Sequence, residues 1–315
     1  MKDLAEKKRA TVRAGPLVNI SRVLLSLGCE PTEVFEAAMF PPEDLADPDH
    51  RIDYRAAATL LAHCTRHSAC DHFGLLVAQW FLPAHLGLTG KLIESAPDVG
   101  AALEELVEYL DLHDDGGVAT LRTSGDKAYL GYAIHLQNLD GIETIYDLSA
   151  TNICGIMRGL CGLRWRPSKV ILSRTRPVNI RPYRDCFACP VAFDATDTEI
   201  EFPSRWLRRK PQLSDRGLHD QLFTTVRQRH REDPAGLAVR VRDLLRRELV
   251  ATECNVESVA GFLKLHPRTL HRRLRDEDTS FREILDGVRR AVAQHYLAGT
   301  GLSVGDIAAA LGYSS

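Results

Sequence analysis

No run of apolar residues in this chain approaches the length of a membrane-spanning helix. No apolar leader follows the first methionine either. Met1 to Arg13 is charged and reads as a mobile tail, whose Lys7, Lys8 and Arg9 could touch a nucleic acid or another partner. These two absences point to the cytoplasm. An excess of one charge is also missing. Forty basic residues face 42 acidic ones, for a formal net charge of -2, so a nucleic-acid partner would require basic residues gathered locally. Signatures of catalysis are equally scarce: there is no nucleophile elbow, metal-binding helix or phosphate-cradling glycine loop. Gly155, Gly159 and Gly162 sit in an apolar helical run and read as close-packing positions. His63 and His67, four apart, lack an evident third metal ligand and read as surface or core histidines. His113-Asp114-Asp115 reads as a charged turn at a helix end. The expectation is therefore no enzyme, no cofactor, no catalytic residue and no metal site.

Eight cysteines occur at irregular spacings, and Cys186-Phe187-Ala188-Cys189 is a single C-x-x-C without a second pair. Small buried thiols are the simpler reading. A thiol- or metal-responsive sensor at Cys186 and Cys189 is the alternative.

With 315 residues the chain has room for two or three domains. Helical periodicity covers Pro16–Gly28, Thr32–Met39, Tyr54–Ser68, Phe73–Trp80 and Val99–Leu112. Pro83, Gly87 and Gly90 make Leu82–Gly90 a loop or broken helix, and Asp47–Ile52 an extended turn is set by Pro48. The period then changes. Val118–Arg122 and Tyr129–Leu136 alternate around Ser124-Gly125-Asp126, which is a hairpin signal. Helix returns over Ile142–Leu163. Short strands follow at Lys169–Ser173, Pro190–Phe193 and Glu199–Phe202, with one helical turn at Arg181–Phe187. Residues 207–234 read as a connection, helical in part through Leu218, Leu222 and Val226.

The most informative stretch is His266 to Leu274. Pro267 suits the first turn of a helix. Leu270 and Leu274 share one face, and Arg268, His271, Arg272 and Arg275 occupy the rest; from Lys264 to Arg275 there is no carboxylate. Upstream, Asn255 can cap a helix whose apolar positions are Val256, Val259, Ala260 and Leu263. Two short helices, a tight turn and a basic outer face describe a helix-turn-helix. The alternative for such a pair alone is a solvated basic face.

Downstream, Thr279-Ser280-Phe281 opens a longer helix through Ile284, Leu285, Val288 and Val292 to Leu297, and Leu302–Tyr313 suggests a further short one. The combination resembles the DNA-binding domain of AraC/XylS-family transcription regulators. The residues that carry the likeness are Ala260/Leu263, Leu270–Leu274, Thr279-Ser280-Phe281, the Arg289/Ala293/Leu297 spacing, Ile307-Ala308 and Leu311-Gly312-Tyr313. Asp278 stands where the family usually has glycine. The sequence stops at Ser314-Ser315, where the second recognition helix of that family would begin, so a second unit is expected to be incomplete. Residues before 206 resemble the arabinose-binding-like effector domain of one branch of the family, through Asp47-Pro48-Asp49, Arg51-Ile52, Phe73-Gly74-Leu75, Gly87, Gly90, Ser95-Ala96-Pro97, the Val118/Tyr129 hairpin, Tyr183, Phe187 and Pro190–Phe193.

The resemblance implies an α+β sensor and dimerisation domain (1–206), a helical linker (207–234) and an all-α double helix-turn-helix DNA-binding domain (235–315), C-terminally truncated. It implies base contacts from Arg268, His271 and Arg272, and phosphate contacts from Lys264, Thr269, Arg273 and Arg275. Trp80, Phe81, His85, Tyr109 and Trp165 are candidates for lining an effector pocket. Double-stranded DNA, a small-molecule effector and a second copy of the chain are the expected partners, RNA polymerase is a further candidate, and a membrane is not expected. The rival reading is a metabolite-binding module without DNA binding.

Overall fold

The computed structural model describes residues 10–134, 136, 138–232, 238, 241–242, 244–245, 255–262, 266–276, 279–299 and 305. They fall into two units, Met1–Glu232 and Asp233–Ser315. None of the described helices is long and apolar enough to cross a membrane.

The first described element is β1 (Thr11–Arg13), so these last residues of the expected tail are not mobile: they pair antiparallel with β2 (Arg51–Asp53), Val12 opposite Ile52, while Lys7, Lys8 and Arg9 lie outside the described residues. Three residues are too few for a periodicity to be read, and the partner lies forty positions away. Pro16–Gly28 is not one helix. A 3-10 turn at Gly15–Leu17 precedes α1 (Ile20–Ser26), and Gly28 closes it with φ +75°. α2 (Pro31–Ala37) follows. Asp53 caps α3 (Tyr54–His67), its carboxylate accepting from the Arg55 and Ala56 amides at 2.8 and 3.0 Å.

Next come α4 (Phe73–Ala78), a 3-10 turn over Pro83–Leu86, and α5 (Leu88–Ser95). The expected broken helix is present, with the break at Gly87, φ +60°; Gly90 is no part of the break but lies inside α5, where a Cβ would meet the Pro83 carbonyl oxygen at 1.8 Å. α6 (Val99–Glu108) is capped by Asp98 through the Ala101 amide at 2.8 Å.

β3 (Gly117–Ser124) and β4 (Lys127–Ile134) form the expected hairpin. After α7 (Ile142–Cys161) come β5 (Lys169–Ile171), α8 (Arg181–Phe187), β6 (Val191–Ala192) and β7 (Thr198–Pro203). The sheet order is β3-β4-β7-β5-β6, antiparallel except for the β5/β6 pair. The twenty-residue α7 packs on α3, α4 and the sheet. Gly155 and Gly159 are packing positions, as expected: a Cβ at either would meet Phe81 or Pro83 at 2.6 Å.

The last helix of this unit, α9 (Arg216–Glu232), covers α5. Residues 216–232 of the stretch read as a helical linker thus group with the first unit. Leu222, Phe223 and Val226 give this otherwise polar helix an apolar side, which joins Leu88, Leu92, Tyr109 and Leu112 in a small cluster of its own.

In the second unit, α10 (Val256–Phe262), α11 (Pro267–Asp276) and α12 (Phe281–Gly299) surround a core of Val241, Leu245, Val259, Ala260, Leu270, Leu274, Phe281, Ile284 and Val288. The fold is therefore an α+β domain followed by a helical helix-turn-helix domain. Asp278 and, apart from Gly305, the helix expected over Leu302–Tyr313 lie outside the described residues.

One buried polar knot ties α7 to the strand side of the first unit. Asp147 is fully buried and accepts hydrogen bonds from the Arg174 guanidinium and from Tyr183 Oη, the latter at 2.7 Å. Burial pushes its carboxyl up to about 7 although Arg174 opposes the shift. Arg174→Met would leave that carboxylate uncompensated. The expected loss is roughly 3–5 kcal/mol in urea unfolding, and adding Asp147→Asn should recover part of it.

Candidate functional site

Two sites emerge, one in each unit. In the second, the His266 carbonyl accepts from the Thr269 and Leu270 amides at 2.8 and 3.0 Å, and His266 Nδ1 accepts from the Arg268 amide at 3.2 Å. Those contacts start α11. Leu270 and Leu274 are fully buried, which fixes the rotation of the helix about its own axis. Arg268, His271, Arg272 and Arg275 are consequently exposed together, at the i, i+3, i+4, i+7 spacing of a single helix face.

Neighbouring helices are held by their own caps. Asn255 Oδ1 accepts from the Ser258 amide at 2.8 Å, as its position suggested. Ser280 and Glu283 form a reciprocal capping box at the start of α12, with bonds of 2.8 and 3.2 Å. His271 and Arg275 border a polar recess with Thr279, Ser280 and Glu283. Thr269 is half-buried. Lys264 lies outside the described residues, as does the side chain of Arg273. A rigid helix presenting a cationic face of this kind suits major-groove entry: arginine can bind guanine O6 and N7 in bidentate fashion, and other cations neutralise phosphates.

The first unit holds a cavity of about 90 Å³ between α3, α6, α7 and the β3/β4 hairpin. Its wall is mainly hydrocarbon, with Ala58, Leu106, Leu130, Ile145, Leu148 and Ile153 among the lining. At one corner sits a buried polar chain. Tyr54 Oη and Tyr132 Oη are 2.8 Å apart, and Tyr132 Oη donates to Asp114 Oδ2 at 2.5 Å. The Gly116 and Gly117 amides donate to Asp114 Oδ1 at 2.8 and 3.0 Å. Gly117 has no room for a side chain, since its Cβ would meet Tyr132 Oη at 2.1 Å. Burial nevertheless pushes the Asp114 carboxyl up to about 6. Its neighbour His113 is lowered to about 3, first by burial and then by the charges of Arg13 and Arg51, so it is neutral at pH 7.

Of the five aromatic candidates for a pocket, the structure puts only Phe81 in this lining. Trp165 is fully buried against Phe202, with ring centroids 6.0 Å apart. Tyr109 is buried with its ring edge against Phe223 and His230 of α9. Trp80 is exposed on the surface beneath Arg22. His85 stacks on Phe81, and its Nδ1 accepts from the Leu82 amide at 3.0 Å. Large aromatics fill cores, and proximity in sequence to a glycine loop does not aim them at a cavity. Tyr54, His113, Asp114, Tyr132 and Asn152 line the cavity without being among the sequence candidates. His113-Asp114-Asp115 reads as a solvated turn, yet His113 and Asp114 are each only 6% exposed. The available signal is the Gly116-Gly117 pair that follows, whose amides can hold a buried carboxylate.

Among the described residues no group of three His, Cys, Asp or Glu side chains could hold a metal ion. Cys186 and Cys189 are half-buried, and burial raises both thiols above their ordinary range, which keeps thiolate scarce.

His113 gives a pH signature. Its imidazole is depressed in the folded state, so the unfolded chain takes up the proton first as pH falls through about 6.5. Stability from this residue is complete above that pH and is lost progressively toward about 3. Asp114, raised to about 6, acts in the opposite sense. The His113→Gln chain isolates the first contribution. Between pH 6 and 4 its stability should fall less steeply than that of the parent, by on the order of 1 kcal/mol per pH unit in denaturant titrations.

Comparison with known proteins agrees with this division. Residues 28–211 match the family described as the arabinose-binding domain of AraC transcription regulator, N-terminal, and residues 259–315 match a helix-turn-helix domain family. The chain is 27% identical over 305 residues to the HTH-type transcriptional regulator VirS of Mycobacterium tuberculosis, covering 96% of this chain and 90% of that one. It is 34% identical over 323 residues to an uncharacterized HTH-type transcriptional regulator of Mycobacterium bovis, covering 94% of this chain and 89% of the relative. In fold it is similar to the transcriptional regulator CdpR of Pseudomonas aeruginosa, at 21% identity and a TM-score of 0.50 over 90% of each chain. The chain belongs to the AraC family of transcription regulators, with a helix-turn-helix DNA-binding domain behind an arabinose-binding-like effector domain.

Proposed function

We propose that α11 lies in the major groove, with Arg268, His271 and Arg272 toward base edges and Thr269, Arg273, Arg275 and Lys264 toward phosphates. The observation that carries this reading is the buried Leu270/Leu274 pair opposite an exposed Arg268/His271/Arg272/Arg275 face. The chain would act on DNA in the cytoplasm without chemistry of its own, as a homodimer on paired half-sites. RNA polymerase is a candidate partner at the promoter.

The cavity of the first unit is proposed as the effector site. Residues 105–114 support a route from it to DNA. Leu106, Leu110, His113 and Asp114 line the cavity, whereas Glu105, Tyr109 and Asp111 of the same segment hold α9. His219 Nε2 is 2.8 Å from Glu105 Oε1, and His230 Nε2 is 2.9 Å from Asp111 Oδ2. α9 ends at Glu232, where the second unit begins. An effector that binds one arrangement of the 105–114 segment more tightly than another would shift α9, and through the chain the DNA-binding unit.

Selection from randomised duplexes, followed by anisotropy titrations in a salt series, tests the groove assignment. Arg268→Ala should cost about 1–3 kcal/mol on the preferred sequence and flatten preference at one or two base pairs. Arg275→Ala should weaken all sequences alike and reduce the salt slope by about 1. Unchanged binding by both variants would refute it.

A further inference from the structure

Two polar atoms of the cavity lining have no partner. His113 Nδ1 and Asn152 Oδ1 are both shielded from solvent and make no hydrogen bond. Asn152 Oδ1 can only accept, and His113 Nδ1 accepts when the ring proton sits on Nε2. Tyr54, Tyr132, Asp114 and the Gly116 and Gly117 amides bond one another, and the remaining polar side chain of the lining is Ser149, one turn from Asn152 on α7. No lysine or arginine belongs to the lining. A buried anion would therefore meet a carboxylate and no cation, and a buried cation would meet one carboxylate that already accepts three hydrogen bonds, against walls of hydrocarbon. A sugar is excluded on the same accounting, because each hydroxyl without a partner in an apolar wall costs more than it returns. The volume sets the size. An apolar cavity of about 150 Å³ takes benzene, so about 90 Å³ in a partly open pocket favours a short alkyl chain and sets a single ring as the upper limit.

From this we infer that the effector of this regulator is a small uncharged hydrocarbon molecule with one hydrogen-bond donor, a hydroxyl or amide N–H, directed at Asn152 and His113. The inference rests on the reading of this cavity as the effector site, and it departs from the sugar named in the description of the matched domain.

Isothermal titration calorimetry of the full chain at pH 7 tests it with four probes: phenol, toluene, benzoate and L-arabinose. Phenol and toluene should bind, phenol about five- to tenfold tighter, the usual contribution of one neutral hydrogen bond. Benzoate and L-arabinose should give no heat of binding. Asn152→Leu should keep toluene binding and erase the advantage of phenol. Ala58→Leu should fill the cavity and abolish both; Ala119→Leu, on the strand wall, serves the same purpose if Ala58→Leu fails to fold. Binding of L-arabinose alone, no binding of any probe, or an advantage of phenol that survives Asn152→Leu would overturn the inference. Selection of DNA sequences by the same preparation separates the two failures. Silent probes with intact sequence selection defeat only the ligand class, and bound phenol without sequence selection defeats only the regulatory reading.

Discussion

The first unit depends on keeping a charged turn dry. Placing His113 and Asp114 inside means finding partners for a carboxylate away from water, and the fold supplies them from three directions. Two glycine amides come from the start of β3, one tyrosine hydroxyl from β4, and a second tyrosine from α3 supports the first. The same corner anchors the N-terminal ribbon, since the Arg13 amide donates to the His113 carbonyl at 2.9 Å. Arg51 donates to the carbonyl of Leu112 at 2.8 Å and to Asp115 at 3.1 Å. Cavity wall, hairpin and ribbon thus share one set of hydrogen bonds, and a partly satisfied network of this kind is costly wherever it is cut.

The second unit solves the opposite problem. Its charges must stay wet and point one way. Leu270 and Leu274 do this by being buried: once they are inserted beside Val259, Ala260 and Phe281, the rotation of α11 is fixed and its arginines have one direction left. On the proposed reading, affinity for a polyanion comes from this local face in a chain whose overall charge is slightly negative.

What the sequence discloses follows from the range of the forces involved. Helical and strand periods, the Asp53 and Asn255 caps and the basic face of α11 are local, and they can be read from residues within one or two turns. The β1/β2 ribbon is not local, and its strands are three residues long. Gly90 looks like a helix breaker because the Pro83 carbonyl that requires it is invisible in composition. His113 and Asp114 look solvated because charge normally is, and only their distant partners say otherwise. Of the aromatic candidates Trp165 fills the core and Tyr109 packs against α9, whereas the cavity lining is mostly aliphatic and comes from segments as far apart as Val12 and Ile156.

The small cluster beneath α9 is separate from the main core of the first unit, since Leu92, Tyr109 and Val226 pack with one another apart from the large apolar cluster. A helix seated on its own patch can lift away while the sheet and α7 stay folded. Such a sub-global opening lies below the free energy of complete unfolding. The amides of α9 should therefore exchange with solvent on a different clock from those of α7.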